Sequence, residues 1–149
     1  MKEEPDTEVE LRARALRLLA RREHSRQELA RKLSPRAGSP DALNALLDSL
    51  ESKKQLSDER FAAERAQVLS RRFGAARIRQ DLKSKGVDGE LLERVSTEGE
   101  LERARAILDR KYRTPAATRE ERARRMRFLQ SRGFSPEIIF SLLSARGAG

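Results

Sequence analysis

The sequence contains no cysteine and a single histidine among its 149 residues. Without cysteine there is no disulfide framework and no thiolate for zinc binding, redox chemistry or nucleophilic attack. His24 alone excludes a multi-histidine metal site, so we expect neither a metal nor a cofactor. No apolar run approaches the roughly 20 residues of a membrane span, and the acidic start of the chain is unlike a secretory signal. We therefore expect a soluble, cytoplasmic protein without a membrane partner.

β-Branched residues are also scarce, with four isoleucines, four valines and four threonines. Alanine, leucine, arginine and glutamate dominate instead, and they are strong helix formers. No window alternates apolar and polar residues with the period of two that is typical of strands. The sequence therefore predicts an all-α fold.

Helix boundaries are marked by capping residues. A hydroxyl followed three residues later by a carboxylate occurs at Ser25 and at Thr118, which is the capping-box pattern of a helix start. Gly86 and Gly133 are suited to the left-handed conformation that closes a helix. These signals predict short helices separated by brief turns.

An internal repeat organises the chain. One pattern begins at Leu18 and consists of two aliphatic residues, a spacer and a pair of basic residues. Related patterns begin at Val68 and Ile107. Short helices are marginal alone in water, so each repeat is expected to bury its apolar face against its neighbours. We predict an elongated tandem array, made of an acidic, flexible N-terminal segment followed by three three-helix (helix-turn-helix-like) repeats, at 1–12, 13–60, 61–98 and 100–145.

The second helix of each repeat carries the clearest apolar face. Aliphatic residues four positions apart lie on one face of a helix, and they occur in the first two copies as Leu29 with Leu33 and Ile78 with Leu82. The third copy keeps a leucine at the second position, but Arg125 stands at the first. We expect a slight rotation of that helix to bring the neighbouring Met126 into the core.

Charge alternates with the repeat. Residues 12–32, 60–87 and 110–132 carry net charges of +6, +6 and +7, whereas 41–59 and 88–102 carry −3 and −5. A single arginine is most simply a solvated surface residue, but pairing within helices would mix the signs locally. The segregation therefore indicates a ribbon of positive potential. Its natural partner is an extended polyanion such as a nucleic-acid backbone.

Three of the less common side chains have competing interpretations. Phe73 and Tyr112 share one repeat position, where they either pack the end of the first helix or stack on bases. We expect His24 to be a partly exposed structural residue, because the sequence specifies no titratable partner for it. The candidate contacts to nucleic acid or to a nucleoprotein filament are basic residues of the positive blocks: Arg21, Arg22, Arg71, Arg72, Arg77, Arg79, Lys83, Lys85, Arg110, Lys111, Arg124 and Arg127.

Several segments in order resemble the motifs of the RecX family of regulatory proteins. The resemblance covers about Ala13 to Leu143, and the motifs keep the order and the approximate spacing of the family. No single motif is specific for the family, but the occurrence of these motifs in order on a repeated three-helix plan is specific for it. The segments are Arg22–Leu29, Leu56–Phe61, Arg72–Val87, Arg110–Tyr112 and Arg127–Phe134.

This resemblance implies a function that composition does not reveal. Members of the family bind the bacterial recombinase RecA and modulate it, mostly by inhibition. They are thought to lie in the groove of the filament that RecA forms on single-stranded DNA, where they impede ATP hydrolysis, strand exchange and cleavage of the SOS repressor. The resemblance thus implies a non-enzymatic regulator, with RecA and single-stranded DNA as partners and weak duplex binding. We expect a monomer when it is free.

Two other functions are compatible with parts of the sequence. Three-helix units resemble helix-turn-helix modules, so a stand-alone DNA-binding protein is the main alternative. In that case Arg77, Arg79, Lys83 and Lys85 on the second helix of the middle repeat would face the major groove. An enzyme acting on nucleic acid is disfavoured, because the sequence offers no ligand cluster and no convincing acid–base pair.

Overall fold

The computed structural model describes residues 4–147, with side chains through Ser144. No strand occurs in this part of the chain, and the helices fall into three successive groups of three. The predicted all-α fold of three three-helix repeats is confirmed. A short 3₁₀ helix, Ser34–Arg36, follows the second helix, and the α-helices are α1 (Glu8–Arg21), α2 (Arg26–Leu33), α3 (Pro40–Ser52), α4 (Asp58–Leu69), α5 (Ala75–Ser84), α6 (Glu90–Glu93), α7 (Glu100–Lys111), α8 (Arg119–Ser131) and α9 (Pro136–Gly147).

The predicted capping residues begin α2 and α8. Ser25 Oγ accepts a hydrogen bond from the Glu28 amide at 3.0 Å, and Thr118 Oγ1 accepts one from the Glu121 amide at 3.1 Å. Each bond satisfies one of the amides that a helix start leaves without an intrahelical partner. The predicted helix starts and their hydroxyl caps are confirmed at both positions.

Helix α1 begins inside the segment 1–12 that the sequence predicts to be flexible. Thr7 and Glu10 form a reciprocal capping box. Asp6, immediately before Thr7, forms ion pairs with Arg14 and Arg36, each at 2.8 Å. A helix cap and ion pairs to Arg14 and Arg36 therefore hold the described part of this segment, whereas residues 1–3 lie outside the described residues.

The chain divides into two compact units. The first unit runs through Glu64 and also includes Lys83–Leu91, while the second includes Arg65–Leu82 and the chain from Leu92 onward. The middle repeat is therefore divided: the turn before α6 belongs with the first repeat, and most of the remainder belongs with the third. This division is what repeats produce when they bury their apolar faces against their neighbours.

Leucines form the core of the first unit. They come from α2, from α3 and from the turn after α3, and they are fully buried. Burial of each such side chain contributes about 1.5–3 kcal/mol. These fully buried leucines are Leu29, Leu33, Leu47, Leu50 and Leu56.

The second unit buries the corresponding aliphatic residues of the later repeats. Ile78 and Leu82 of α5 are fully buried, as are Leu108 of α7 and Leu129 of α8. The predicted four-residue spacing of the core face is confirmed for the second helix of the first two repeats.

The core prediction for α8 is wrong at one position. Arg125 is only 5% exposed, whereas Met126 is 42% exposed. The guanidinium carbon of Arg125 lies 4.5 Å from the centroid of the Tyr112 ring. A planar guanidinium can stack on an aromatic ring while its methylene stem packs like an aliphatic side chain. The helix therefore needs no rotation, because the arginine itself occupies the core position.

In the second unit, the start of α5 meets the turn between α8 and α9 at very short range. The Gly74 amide donates to the Arg132 carbonyl at 2.7 Å. Gly133 has a φ of +91°, and a Cβ added there would lie 2.5 Å from the Arg77 amide nitrogen. Only glycine combines this conformation with this approach. Gly74 is likewise more than a turn residue, since its own Cβ would meet the Gly133 carbonyl.

The first unit repeats this arrangement between the start of α2 and the turn between α5 and α6. Ser25, which aligns with Gly74 in the repeat, donates its hydroxyl to the Lys85 carbonyl at 2.6 Å. Gly86 has a φ of +88°, and a Cβ there would lie 2.5 Å from the Cβ of Gln27. The start of the second helix thus packs against the glycine turn of the following repeat in both units.

We predict that Gly133→Ala lowers the free energy of unfolding more than Gly89→Ala does. Both glycines have a positive φ, but a Cβ at Gly89 meets no atom within 4 Å. The shared backbone strain costs roughly 1–2 kcal/mol, and the clash at Gly133 adds about 1–3 kcal/mol. Urea unfolding of the two variants measures the difference, and equal losses would contradict the close packing at this turn.

We predict that Arg125→Leu leaves the free energy of unfolding unchanged or raises it by up to about 2 kcal/mol. The Nε of Arg125 is buried without a hydrogen-bond partner in the described structure, and replacing such a group by an apolar one of similar volume is often neutral or stabilising. Arg125→Ala instead leaves a cavity and costs about 2–5 kcal/mol. Thermal unfolding distinguishes the variants; similar losses for both would mean that the guanidinium itself is required.

Candidate nucleic-acid interface

A groove rich in cationic side chains lies within the second unit. Its volume is about 640 Å³. Four of the sequence-predicted site residues line it together, namely Arg71, Arg72, Arg110 and Lys111, and none of the described residues that line it is acidic. The other lining residues, which the sequence did not single out as site residues, are Val68, Ile107, Phe128 and Arg132.

Helix C-termini supply the cations of this groove. Arg71 and Arg72 follow the end of α4, Arg110 and Lys111 are the last two residues of α7, and Arg132 directly follows α8. The C-terminal end of a helix carries a partial negative charge, so a cation there is stabilised by the helix. The local sequence therefore favours positive charge at each of these three ends.

Backbone carbonyls hold two of the guanidinium groups in place. Arg110 Nη2 donates to the Arg71 carbonyl at 2.9 Å, and Arg132 Nη1 approaches the Arg72 carbonyl at 3.5 Å. A carbonyl orients a guanidinium but does not neutralise it, as a carboxylate would. The groove therefore keeps its positive charge while its side chains are positioned.

Aromatic rings support the same cations. Lys111 Nζ and Arg132 Cζ each lie 5.1 Å from the centroid of Phe128. Arg132 is also over Phe73, at 5.4 Å, as is Arg72, at 5.7 Å. Such cation–ring contacts are favourable by about 0.5–2 kcal/mol each. They further restrict the side chains that line the groove.

The structure also bears on the two interpretations of Phe73 and Tyr112. Both residues are half-buried. Guanidinium groups lie over both rings, since Arg77 is 4.8 Å from the Phe73 centroid and Arg125 is 4.5 Å from that of Tyr112. Tyr112 also makes an edge contact with Phe128, with centroids 6.0 Å apart. These contacts favour a packing role for both rings over base stacking.

The remaining site residues do not join the groove. Arg77 Nη1 donates to the Ser131 carbonyl at 2.9 Å, and Arg79 donates to the Leu92 and Val95 carbonyls, each at 3.3 Å. The others are not among the lining residues: Arg21, Lys83, Arg124 and Arg127 are exposed, Arg22 forms an ion pair, and Lys85 is half-buried.

Several arginines of the first unit are compensated by carboxylates. Arg22 pairs with Glu28 at 2.6 Å, and this pairing lowers the pKa of Glu28 from 4.5 to about 2. Besides Arg14 and Arg36, which pair with Asp6, two further arginines of this unit reach carboxylates, so its positive blocks are partly neutralised. These pairs are Arg26 with Asp48 and Glu51, and Arg60 with Glu23.

His24 differs from its prediction, because it is 1% exposed rather than partly exposed. Its Nδ1 lies 3.1 Å from the Arg22 carbonyl, and its Nε2 lies 3.0 Å from Lys32 Nζ. Burial lowers the pKa of this imidazole. A neutral ring that donates from Nδ1 and accepts at Nε2 satisfies both contacts. His24 is therefore a buried structural residue of the first unit.

Helices both long and apolar enough to cross a membrane are absent from the described part of the chain.

Family comparisons match the three repeats separately. The model described as the first three-helix domain of RecX matches residues 12–50. The second three-helix domain of RecX matches residues 57–95, and the third matches residues 98–143. Together these matches cover most of the chain in the order of the repeats.

Individual relatives and solved structures agree with these matches. The "Regulatory protein RecX" of Leptothrix cholodnii is 46% identical over 140 residues, which cover 91% of this chain and 88% of the relative. That of Herbaspirillum seropedicae is 46% identical over 138 residues, covering 91% and 90%. The crystal structure of RecX from Lactobacillus salivarius superposes with a TM-score of 0.82 at 18% identity, covering 95% of this chain and 97% of that one.

The ion pair between Arg22 and Glu28 predicts a specific pH dependence. The folded-state pKa of Glu28 is about 2, below its ordinary 4.5, so the pair contributes stability above pH 4.5 that is lost as the pH falls towards 2. We expect Glu28→Gln to be less stable than the parent protein at pH 7 and to approach it below pH 4. Urea unfolding at pH 7, 4 and 3 measures this; a difference independent of pH would contradict the pairing.

Proposed function

The chain belongs to the RecX family of regulatory proteins, and from this premise we propose that it binds the recombinase RecA and its filament on single-stranded DNA. In this proposal the protein is a non-enzymatic regulator that lies in the filament groove. It modulates, and mostly inhibits, ATP hydrolysis, strand exchange and the co-protease activity of the SOS response. The proposal places it in the cytoplasm, as a monomer when free.

The observation that carries this proposal is the cationic groove of the second unit. Five basic side chains line it, and no described lining residue is acidic. A nucleoprotein filament is a long anionic track, and concentrated positive charge favours association with such a partner. The groove therefore supports contact with the DNA component of a filament.

Three repeats in one chain suit a partner that is itself repetitive. Linked modules that engage neighbouring sites turn modest individual contacts into useful avidity. A regulator bound in this way holds several filament protomers in one arrangement. We propose that this arrangement is poor for ATP turnover and for the exchange of DNA strands, which accounts for inhibition without any catalytic residue in the regulator.

The alternative function, a stand-alone DNA-binding protein, gains no support from α5. Its base-reading candidates include Arg77 and Arg79, whose guanidinium groups donate to backbone carbonyls within the second unit. Side chains held in this way are poorly placed to reach base edges in a major groove, where direct readout requires paired hydrogen bonds. The structure favours electrostatic contact over sequence-specific readout.

We predict that the protein inhibits the DNA-dependent ATPase of RecA and that the groove contributes to this inhibition. The double variant Arg71→Glu with Lys111→Glu should raise the half-inhibitory concentration by at least about tenfold, which corresponds to about 1.4 kcal/mol. A charge-matched control, Arg105→Glu with Arg122→Glu, changes exposed residues outside the groove lining.

The control should shift the half-inhibitory concentration by less than about threefold, or 0.65 kcal/mol. Circular dichroism melting verifies that both double variants are folded. The proposed function is wrong if saturating amounts of the parent protein leave both ATP hydrolysis and strand exchange unchanged.

A further inference from the structure

We propose that the groove of the second unit binds the sugar–phosphate backbone of a single nucleic-acid strand and does not read its bases. This inference rests on the proposed function, since it names the component of the filament that the groove takes. It assigns the contact to four of the twelve basic candidates, at the ends of α4 and α7, and adds Arg132 at the end of α8.

The first argument is the charge of the groove. Arg71, Arg72, Arg110, Lys111 and Arg132 line one volume of about 640 Å³. That volume lies within the range of ligand-binding clefts, about 300–1,000 Å³. Five cations at one site repel one another unless an anion joins them, so a ligand with several phosphates gains more than a single small anion does.

The second argument is that these cations are positioned without being neutralised by a carboxylate of the described residues. Arg110 and Arg132 are directed by the carbonyls of Arg71 and Arg72, and Lys111 and Arg132 lie over Phe128. By contrast, Arg22 of the first unit pairs with Glu28, and Arg65 of the second unit, outside the groove lining, pairs with Asp81. Positioned cations lose less conformational entropy on binding, which favours affinity for a phosphate.

The third argument concerns what the groove offers to a base. Base stacking needs an open aromatic face, but cations lie over Phe128 and Phe73. The most exposed apolar lining residue is Val68, at 55%, and it has no ring and no hydrogen-bonding group. The groove therefore offers charge to phosphates and a small apolar surface to sugars, without an open aromatic face on which a base could stack.

The test is direct titration of the full chain with labelled DNA in the absence of any recombinase. Affinity for an oligothymidine, for a mixed-sequence strand and for a duplex of the same length is measured over a salt series. For a single strand, each phosphate contact adds about −0.7 to the slope of log affinity against log salt concentration. The double variant Arg71→Gln with Lys111→Gln should therefore flatten the slope by about 1.4, equally for both single strands.

The control variant Arg105→Gln with Arg122→Gln removes the same net charge from α7 and α8 outside the groove. It should keep the parent slope, and melting curves should show both variants folded. The inference is overturned if the groove variant keeps the parent slope or if the control variant flattens the slope equally. It is also overturned if the slope flattens for only one base composition or only for the duplex.

The assay separates this inference from the proposed function, because it contains no RecA. If the groove variant flattens the slope but the parent protein never inhibits RecA, the proposed function is rejected and the backbone site is kept. An unchanged slope together with normal inhibition by the parent protein would reject the backbone site and keep the regulatory role.

Discussion

The packing of a helix start against a glycine turn is the constraint on which the repeat structure depends. In the second unit the Gly74 amide bonds to the Arg132 carbonyl, and Gly133 leaves no room for a Cβ beside Arg77. In the first unit the Ser25 hydroxyl bonds to the Lys85 carbonyl, and Gly86 leaves no room for a Cβ beside Gln27. Each contact joins the second helix of one repeat to the turn of the next. As a result, the middle repeat is shared between the two units.

This packing also affects the distribution of charge. The turn that receives the start of α5 begins at Arg132, whose side chain lines the groove. The same contact that joins the second and third repeats thus places a cation beside those at the ends of α4 and α7. In the first unit, one residue of the corresponding basic pair, Arg22, is compensated by Glu28. Similar motifs in two repeats therefore support different surfaces.

Much of the fold was predictable, because its signals are local. Ser25 and Thr118 cap helices through bonds to residues three positions away, and Leu29 and Leu33 face the core because a helix places such positions on one side. Arg125 and His24 were mispredicted for a different reason. Each contacts a partner more than one helical turn away, namely the Tyr112 ring for Arg125 and the Lys32 ammonium for His24. Residue type alone then misleads, since arginine and histidine are more often exposed.

The sequence by itself determined the all-α fold, the three repeats and the segregation of charge, since helix propensity, capping and spacing act within about four residues along the chain. Only the tertiary structure decided which basic residues share a groove. Arg71, Arg110 and Arg132 are far apart in the chain, and their meeting depends on how the helix ends pack within the second unit. It also decided which arginines keep an uncompensated charge, because compensation depends on carboxylates brought close in space rather than in sequence.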